Sequence, residues 1–276
     1  MARNCDGQHN PVLLRVRRAG SRLSASERGA RYVTAMSKDT AIVFGATGLT
    51  GRFVVSHLVK AGVRTIAHVR PDSPRLGEWT ERFTRDRAEV SSAAWTKDAI
   101  DALVAKEAPS LVFGLLGTTQ ARVKEAARAG RDASKETYDA VDVALTEMAI
   151  AACRAATRRP RFVYLSSVGT SDSAAGSYLQ ARAKVERTLR ASGVPYTIAR
   201  PSFIVGERDT PRALEKVSAP LVNGLLGVLG AVGAKDLRDR YRSITGEELA
   251  RALVVIAQDP AWQDRVAEPA DLQRLA

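Results

Sequence analysis

Cysteine, histidine and aromatic side chains are all scarce in this chain of 276 residues, and each shortage excludes something. Two cysteines, Cys5 and Cys153, make neither a disulfide framework nor a thiolate metal set, so a reducing compartment, the cytoplasm, is expected. The three histidines (His9, His57, His68) lack the short spacings that chelate a metal, and no metal site is expected. Aromatics are 5% of the residues, too few to stack bases along a nucleic-acid surface. The formal net charge of +12 comes from 33 arginines and 9 lysines spread along the chain rather than gathered in one patch, so it does not point to nucleic acid either. The apolar stretch at 217–234 touches only the lower limit for a membrane span, and four glycines, Pro220 and Asn223 interrupt it. It is expected to be a lid over a substrate cleft, with peripheral membrane contact as the alternative.

Residues 1–36 differ from the rest. They hold seven arginines, two acidic residues (Asp6 and Glu27) and no sustained apolar periodicity. A disordered basic arm, an organelle presequence and an over-extended start all fit this composition. The last is favoured, because Met36-Ser-Lys-Asp-Thr leads straight into the first strand. Residues 37–276 are expected to form the folded domain, with 203–245 as its substrate or lid region.

What is present is concentrated in Ala41-Ile-Val-Phe-Gly45-Ala-Thr-Gly48-Leu-Thr-Gly51-Arg52. Four apolar residues read as a buried strand, three glycines follow at three-residue spacing, and Phe53, Val54, Leu58 and Val59 then repeat at helical spacing. Gly45 permits a tight turn out of the strand. Gly48 lets backbone approach a pyrophosphate, and Gly51 lets the helix pack close to the strand. A helix N-terminus here offers N–H groups and partial positive charge to phosphate. The pattern, in its strand-turn-helix context, predicts a dinucleotide site on Gly45, Thr47, Gly48, Leu49, Thr50, Gly51 and Arg52.

Further strands are predicted at 64–69, 90–95, 110–116, 161–166 and 196–200, with helices near 98–106, 134–157, 177–192 and 246–257. Residues 72–88 read as loop or a short helix. Thr245 and Glu248 have capping-box spacing at the start of the last helix. Alternating strands and helices imply an α/β fold, a doubly wound parallel sheet of the Rossmann kind with a small C-terminal substrate subdomain. Beyond Pro201 the rhythm is lost.

The second strand ends at Arg70, where a site for the unphosphorylated cofactor would place a carboxylate for the ribose 2′-OH. A guanidinium suits a 2′-phosphate, so NADPH is expected to be preferred over NADH, with Arg52 as a second cation. Asp72, following Pro71, is expected to point elsewhere. Gly117 and Thr118, at the end of the fourth strand, would face the ribose or nicotinamide half. Pro201 stiffens the exit from the sixth strand beside it.

The Gly45–Gly51 loop, Leu-Gly-Thr-Thr at 116–119, Leu-Ser-Ser at 165–167, Tyr-Leu-Gln at 178–180 and Arg-Pro-Ser at 200–202 occur together and in order. In this the chain resembles the atypical short-chain dehydrogenases/reductases, and is most similar to NADPH-binding oxidoreductases of the Tat-interactive-protein type and their bacterial relatives. The likeness covers about residues 40–258. It implies a serine, Ser166 or Ser167, that orients a carbonyl, and Tyr178 as proton donor. It also implies a lysine four residues after the tyrosine, on the same helix face. A cation there favours the tyrosinate form.

The chain departs from that pattern. Arg182 stands at the lysine position, and arginine stays protonated and cannot relay a proton. Lys184 lies about 240° round the helix from Tyr178. The resemblance also places an asparagine in the helix before the fifth strand, and Asp142 falls near there. A carboxylate at 142 could pair with Arg182, or simply sit near a helix start. Glu207, Arg208 and Arg212 are candidate substrate contacts or surface charges. The expected activity is hydride transfer from NADPH to a small-molecule carbonyl, with Tyr178, a serine at 166–167 and Arg182 in the site. The alternatives are a non-catalytic NADPH sensor or scaffold, and a peripheral membrane or assembly factor using 217–234.

Overall fold

A computed structural model describes residues 39–118, 128, 130, 132, 137–206 and 242–276. The strands are β1 (Thr40–Phe44), β2 (Arg64–His68), β3 (Glu89–Ser91), β4 (Leu111–Gly114), β5 (Arg161–Leu165), β6 (Tyr196–Ala199), β7 (Ile204–Val205), β8 (Ile244–Thr245) and β9 (Arg265–Ala267). Seven form one sheet in the order β3-β2-β1-β4-β5-β6-β9, and every pairing in it is parallel. The order reverses beside β1, between β1 and β4. In an open α/β sheet the ligand crevice lies there, at the strands' carboxyl ends.

Alternation along β1 shows why both faces are covered. Ala41 and Val43 enter one apolar cluster, whereas Ile42 and Phe44 enter the other. A strand whose two faces are both apolar can only be stable between two helical layers. The first layer contains α1 (Gly51–Lys60) and α2 (Leu76–Arg85). It is completed by α6 (Gly246–Gln258) and α7 (Pro269–Leu275). The second contains α3 (Lys97–Glu107), α4 (Leu145–Ala155) and α5 (Ser177–Ala191).

Local chemistry explains several boundaries. Thr245 and Glu248 close the capping box at the start of α6, each satisfying the other's backbone N–H. At the other end of α6, the Arg161 guanidinium donates to the carbonyls of Ile256, Ala257 and Asp259, a cation on a helix C-terminus. The 72–88 segment contains a full helix, α2, because Trp79 and Phe83 fall on one face and are buried.

Three features depart from the sequence expectations. The helical run before β5 begins as a π-helix, Tyr138–Ala144, before continuing as α4. The region beyond Pro201 does return to the sheet: β9 is its seventh strand, and three residues are too few to show a period. Strands β7 and β8 form a separate parallel pair. The 1–36 extension, the 217–234 run and Glu207, Arg208 and Arg212 lie outside the described residues.

Gly51 sets the closeness of α1 to β1. A Cβ there would sit 2.1 Å from the Gly45 carbonyl oxygen and 2.9 Å from its carbon, both immobile backbone atoms. Gly51→Ala is therefore expected to cost about 1–3 kcal/mol, read as a lower urea midpoint. Gly77 is also helical but has open space around its Cβ position. Gly77→Ala should stabilise the domain by about 0.5–1 kcal/mol. Equal effects of the two substitutions would show that the strand-helix contact is not this close.

Candidate functional site

The turn between β1 and α1 is tight and closely packed. Gly45 has φ of +84°, and a Cβ on it would meet the Leu115 carbonyl oxygen at 2.6 Å. The Gly48 N–H donates to the Gly45 carbonyl at 3.0 Å, closing the turn. Thr50 precedes α1 but its side chain does not cap it, and no acidic residue stands in the first turn. Most helices cover these amides with a side-chain oxygen. Here backbone carbonyls do so instead, Gly48 accepting from the Arg52 N–H at 3.4 Å and Thr50 from the Phe53 N–H at 3.1 Å, and Thr47 and Gly48 are exposed at the lip. Arg52 follows at once, its guanidinium 4.9 Å from the Phe53 ring. An exposed turn with no acidic residue in the helix's first turn, followed by an arginine, fits a cofactor diphosphate.

A second element braces this loop. A Cβ at Gly246 would lie 2.7 Å from the Leu49 carbonyl oxygen, and one at Gly206 would lie 3.1 Å from Leu49 Cδ1. Leu49 is thus held between the start of α6 and the end of β7. Nothing in the glycine pattern announces this. The signal lies in Gly246 opening a capped helix far along the chain.

Arg70 lies just past β2 with its side chain about one-third exposed. Asp72 does not point elsewhere, as expected from Pro71. The turn closed by Ser73 N–H on the Arg70 carbonyl brings its carboxylate to 3.8 Å from Arg70 Nε. That is a loose contact at a largely exposed carboxylate.

The centre of the site is a buried ion pair. Asp142 on the π-helix is fully buried, and its Oδ1 lies 2.7 Å from Arg182 Nη2 on α5. Asp142 Oδ2 accepts from the Thr118 backbone N–H at 2.9 Å. Arg182 Nη1 donates to the Leu116 carbonyl at 3.2 Å, the Leu165 carbonyl at 2.9 Å and the Tyr164 hydroxyl at 3.2 Å. The pair therefore ties the ends of β4 and β5 to two helices. Burial opposes the charge on Arg182, but Tyr164, Tyr178 and Asp142 outweigh it and hold the guanidinium well above its ordinary range. Burial pushes the Tyr164 phenol up to about 12, although Arg182 pulls the other way.

This pair gives Gly117 its reason. A Cβ there would stand 3.0 Å from Arg182 Nη2 and 3.7 Å from Asp142 Oδ1, so the missing side chain makes room for the ions. Thr118 is buried, and its hydroxyl has no hydrogen-bond partner among the described residues. Thr119 lies outside them.

The two serines separate. Ser166 is buried and donates to Glu186 Oε1 at 2.6 Å, with Thr170 Oγ1 at 3.3 Å. Glu186 also holds Arg200 through two hydrogen bonds of 2.9 and 2.7 Å. Ser166 thus anchors a structural network at the ends of β5 and β6. Ser167 is half-buried, with only a 3.4 Å contact to the Val168 carbonyl. Tyr178, at the start of α5, is half-buried, its ring centroid 5.1 Å from the Arg182 guanidinium. Lys184 is exposed, away from this group. Pro201 is buried, and its carbonyl accepts from Val168 N–H at 2.9 Å, joining the loops after β5 and β6. The Cys153 thiol is buried in the core and raised by that burial, which removes it as a nucleophile.

Residues 45–225 match the family described as NAD(P)H-binding. The chain belongs to that NAD(P)H-binding family. In sequence and fold it resembles the atypical short-chain dehydrogenases/reductases. It is 28% identical over 223 residues to "Protein FMP52-1, mitochondrial" of Scheffersomyces stipitis, covering 80% of this chain and 88% of that one. It is also 28% identical over 180 residues to "NADH dehydrogenase [ubiquinone] 1 alpha subcomplex subunit 9, mitochondrial" of Mus musculus, covering 64% of this chain and 43% of that one. Among solved structures it is similar to Pal from Bacillus thuringiensis, with a TM-score of 0.60, 15% identity, and 85% and 81% of the two chains covered. It is likewise similar to a UDP-glucose 4-epimerase from Thermotoga maritima, with a TM-score of 0.56, 17% identity, and 82% and 75% covered. These structures support the fold alone. The cytoplasmic placement rests on thiol content, while both relatives are named as mitochondrial. Among the described residues no helix is long and apolar enough to cross a membrane.

Removing one member of a buried pair strands the other charge. Asp142→Ala is expected to cost about 3–5 kcal/mol in chemical denaturation, and Asp142→Ala combined with Arg182→Met should recover most of that loss. A single-substitution cost below about 1 kcal/mol would place this pair with weak surface bridges instead.

Proposed function

We propose that this NAD(P)H-binding protein is an NADPH-dependent reductase of a small-molecule carbonyl. The observation that carries this reading is the Arg182 guanidinium, buried, permanently charged and 5.1 Å from the Tyr178 ring. A bound reduced nicotinamide supplies hydride to the carbonyl carbon. Tyr178 donates its phenolic proton to the carbonyl oxygen, completing the alcohol, and Arg182 stabilises the tyrosinate left behind. Since Arg182 cannot pass on a proton, Tyr178 is reprotonated from solvent, which its partial exposure permits. Ser167 holds the carbonyl oxygen. Ser166 does not, because its hydroxyl is committed to donating a hydrogen bond to Glu186.

The preference for NADPH is supported by Arg70 and Arg52 at the cofactor end of β2 and α1. No carboxylate of β2 itself stands where a ribose 2′-OH would need an acceptor, and the one nearby, Asp72, leans on Arg70.

Two measurements test these assignments. NADPH should bind at least about tenfold tighter than NADH, roughly 1.4 kcal/mol, and Arg70→Asp should erase the difference; equal affinities in the parent protein would refute the 2′-phosphate assignment. In a carbonyl panel, Tyr178→Phe should lower turnover by about a hundredfold or more while the NADPH Kd holds. Ser167→Ala should also slow turnover, whereas Ser166→Ala should mainly cost about 1 kcal/mol of stability. A protein that binds NADPH, reduces no carbonyl and is indifferent to Tyr178→Phe would be a cofactor sensor instead.

A further inference from the structure

The π-helix and α5 meet through two matched pairs. On the π-helix, Tyr138 and Asp142 are four residues apart. On α5, Tyr178 and Arg182 are four residues apart. Asp142 faces Arg182 at 2.7 Å, and the Tyr138 ring faces the Tyr178 ring, centroids 5.5 Å apart and tilted 60°. The ionic pair is buried, and the aromatic pair is half-buried at the open end. Tyr178 is therefore held from two sides, by the Arg182 guanidinium and by the Tyr138 ring.

Short π-helical turns close i→i+5 hydrogen bonds, one residue longer than those of the α-helix that follows, and they occur frequently at functional sites. Thr137 caps the π-helix, accepting from the Ala140 N–H. Tyr138 is thus the first residue of a capped element, and its backbone is fixed at the point where the ring meets Tyr178.

We propose that Tyr138 is a positioning residue for Tyr178, acting through its ring and not its hydroxyl. This rests on the reading of Tyr178 as proton donor. Without the Tyr138 ring, the Tyr178 phenol keeps its cation but loses the wall that fixes its rotamer. The proton donor then spends less time at the carbonyl oxygen, and kcat falls while substrate and cofactor affinity hold. Misplacement of a reacting group by about 1 Å is enough for a loss of that kind.

The test compares Tyr138→Phe, Tyr138→Leu and Tyr138→Ala in the full chain. Tyr138→Phe should keep the parent kcat. Tyr138→Ala should lower kcat by about tenfold or more, with KM and the NADPH Kd within about twofold. Tyr138→Leu keeps bulk and guards against collapse of the π-helix; it should fall between. A readout independent of turnover is fluorine NMR of fluorotyrosine-labelled protein, with the Tyr178 signal identified by its loss in Tyr178→Phe. That signal should stay in place in Tyr138→Phe and shift and broaden in Tyr138→Ala. If the parent protein reduces no carbonyl, the reductase reading fails and the fluorine signal alone decides the positioning role. An unmoved Tyr178 signal with unchanged kcat in Tyr138→Ala overturns the inference. So does a loss in Tyr138→Phe as large as that in Tyr138→Ala, which would assign the effect to the hydroxyl.

Discussion

A buried guanidinium needs its charge and donors answered by protein, and Arg182 imposes that demand on the whole site through its two Nη atoms, while its Nε has no hydrogen-bond partner among the described residues. Its answers come from four places: the Leu116 carbonyl beyond β4, the Leu165 carbonyl of β5, the Tyr164 hydroxyl and the Asp142 carboxylate. Each answer fixes a piece of chain. Asp142 in turn holds the Thr118 N–H, so the loop after β4 cannot move without exposing a charge. A side chain at Gly117 would press on Arg182, whose Nη2 lies 3.0 Å from the Cβ position. The floor of the crevice is thereby rigid where a cofactor's ribose and nicotinamide halves would rest.

The same face of α5 continues this logic outward. Tyr178, Arg182, Glu186 and Arg190 recur at four-residue spacing, so they stack along one side of the helix. Arg182 binds the ends of β4 and β5, and Glu186 binds Ser166 beyond β5 and Arg200 beyond β6. Arg200 reaches on to Glu268, ahead of α7. Opposite charges alternate along the ladder, and the strand ends that line the crevice are cross-linked by side chains as well as by the sheet. The glycine turn has its own brace in Leu49, held by Gly206 and Gly246. The glycine turn and the Tyr178 end of the crevice are therefore fixed by different parts of the chain, α6 for one and α5 for the other.

Much of this was legible in the residues, and the parts that were not share a cause. The glycine spacing, the two-faced apolar strands and the Thr245–Glu248 box are local signals, and each was readable from a dozen residues. The pairing of Asp142 with Arg182 was readable as a possibility, because two departures from one pattern compensate in charge. Strand β9 was missed because three residues cannot show a period. The commitment of Ser166 to Glu186 and the bracing of Leu49 by Gly246 join positions far apart in sequence, and only the fold brings them together. Asp72 was misplaced for a local reason: Pro71 fixes its own φ, but the turn to Ser73 decides where the next side chain goes.

Replacing the expected lysine by arginine changes what the tyrosine can do, beyond the proton it cannot relay. A lysine ends in a compact ammonium on a flexible stem with three rotatable donors. A guanidinium is planar and has five donors, and here the sheet end and Asp142 engage it from below. The cation is thereby moved from the crevice into its floor. In the proposed mechanism it acts on Tyr178 as a fixed field, 5.1 Å from the ring centroid, and not as a link in a proton chain. A fixed field needs a fixed target, since its effect falls with distance and with any water that enters between them. This gives a second aromatic ring against Tyr178 its physical sense: once the lysine relay is gone, holding the phenol still over the buried charge is what remains for the protein to supply.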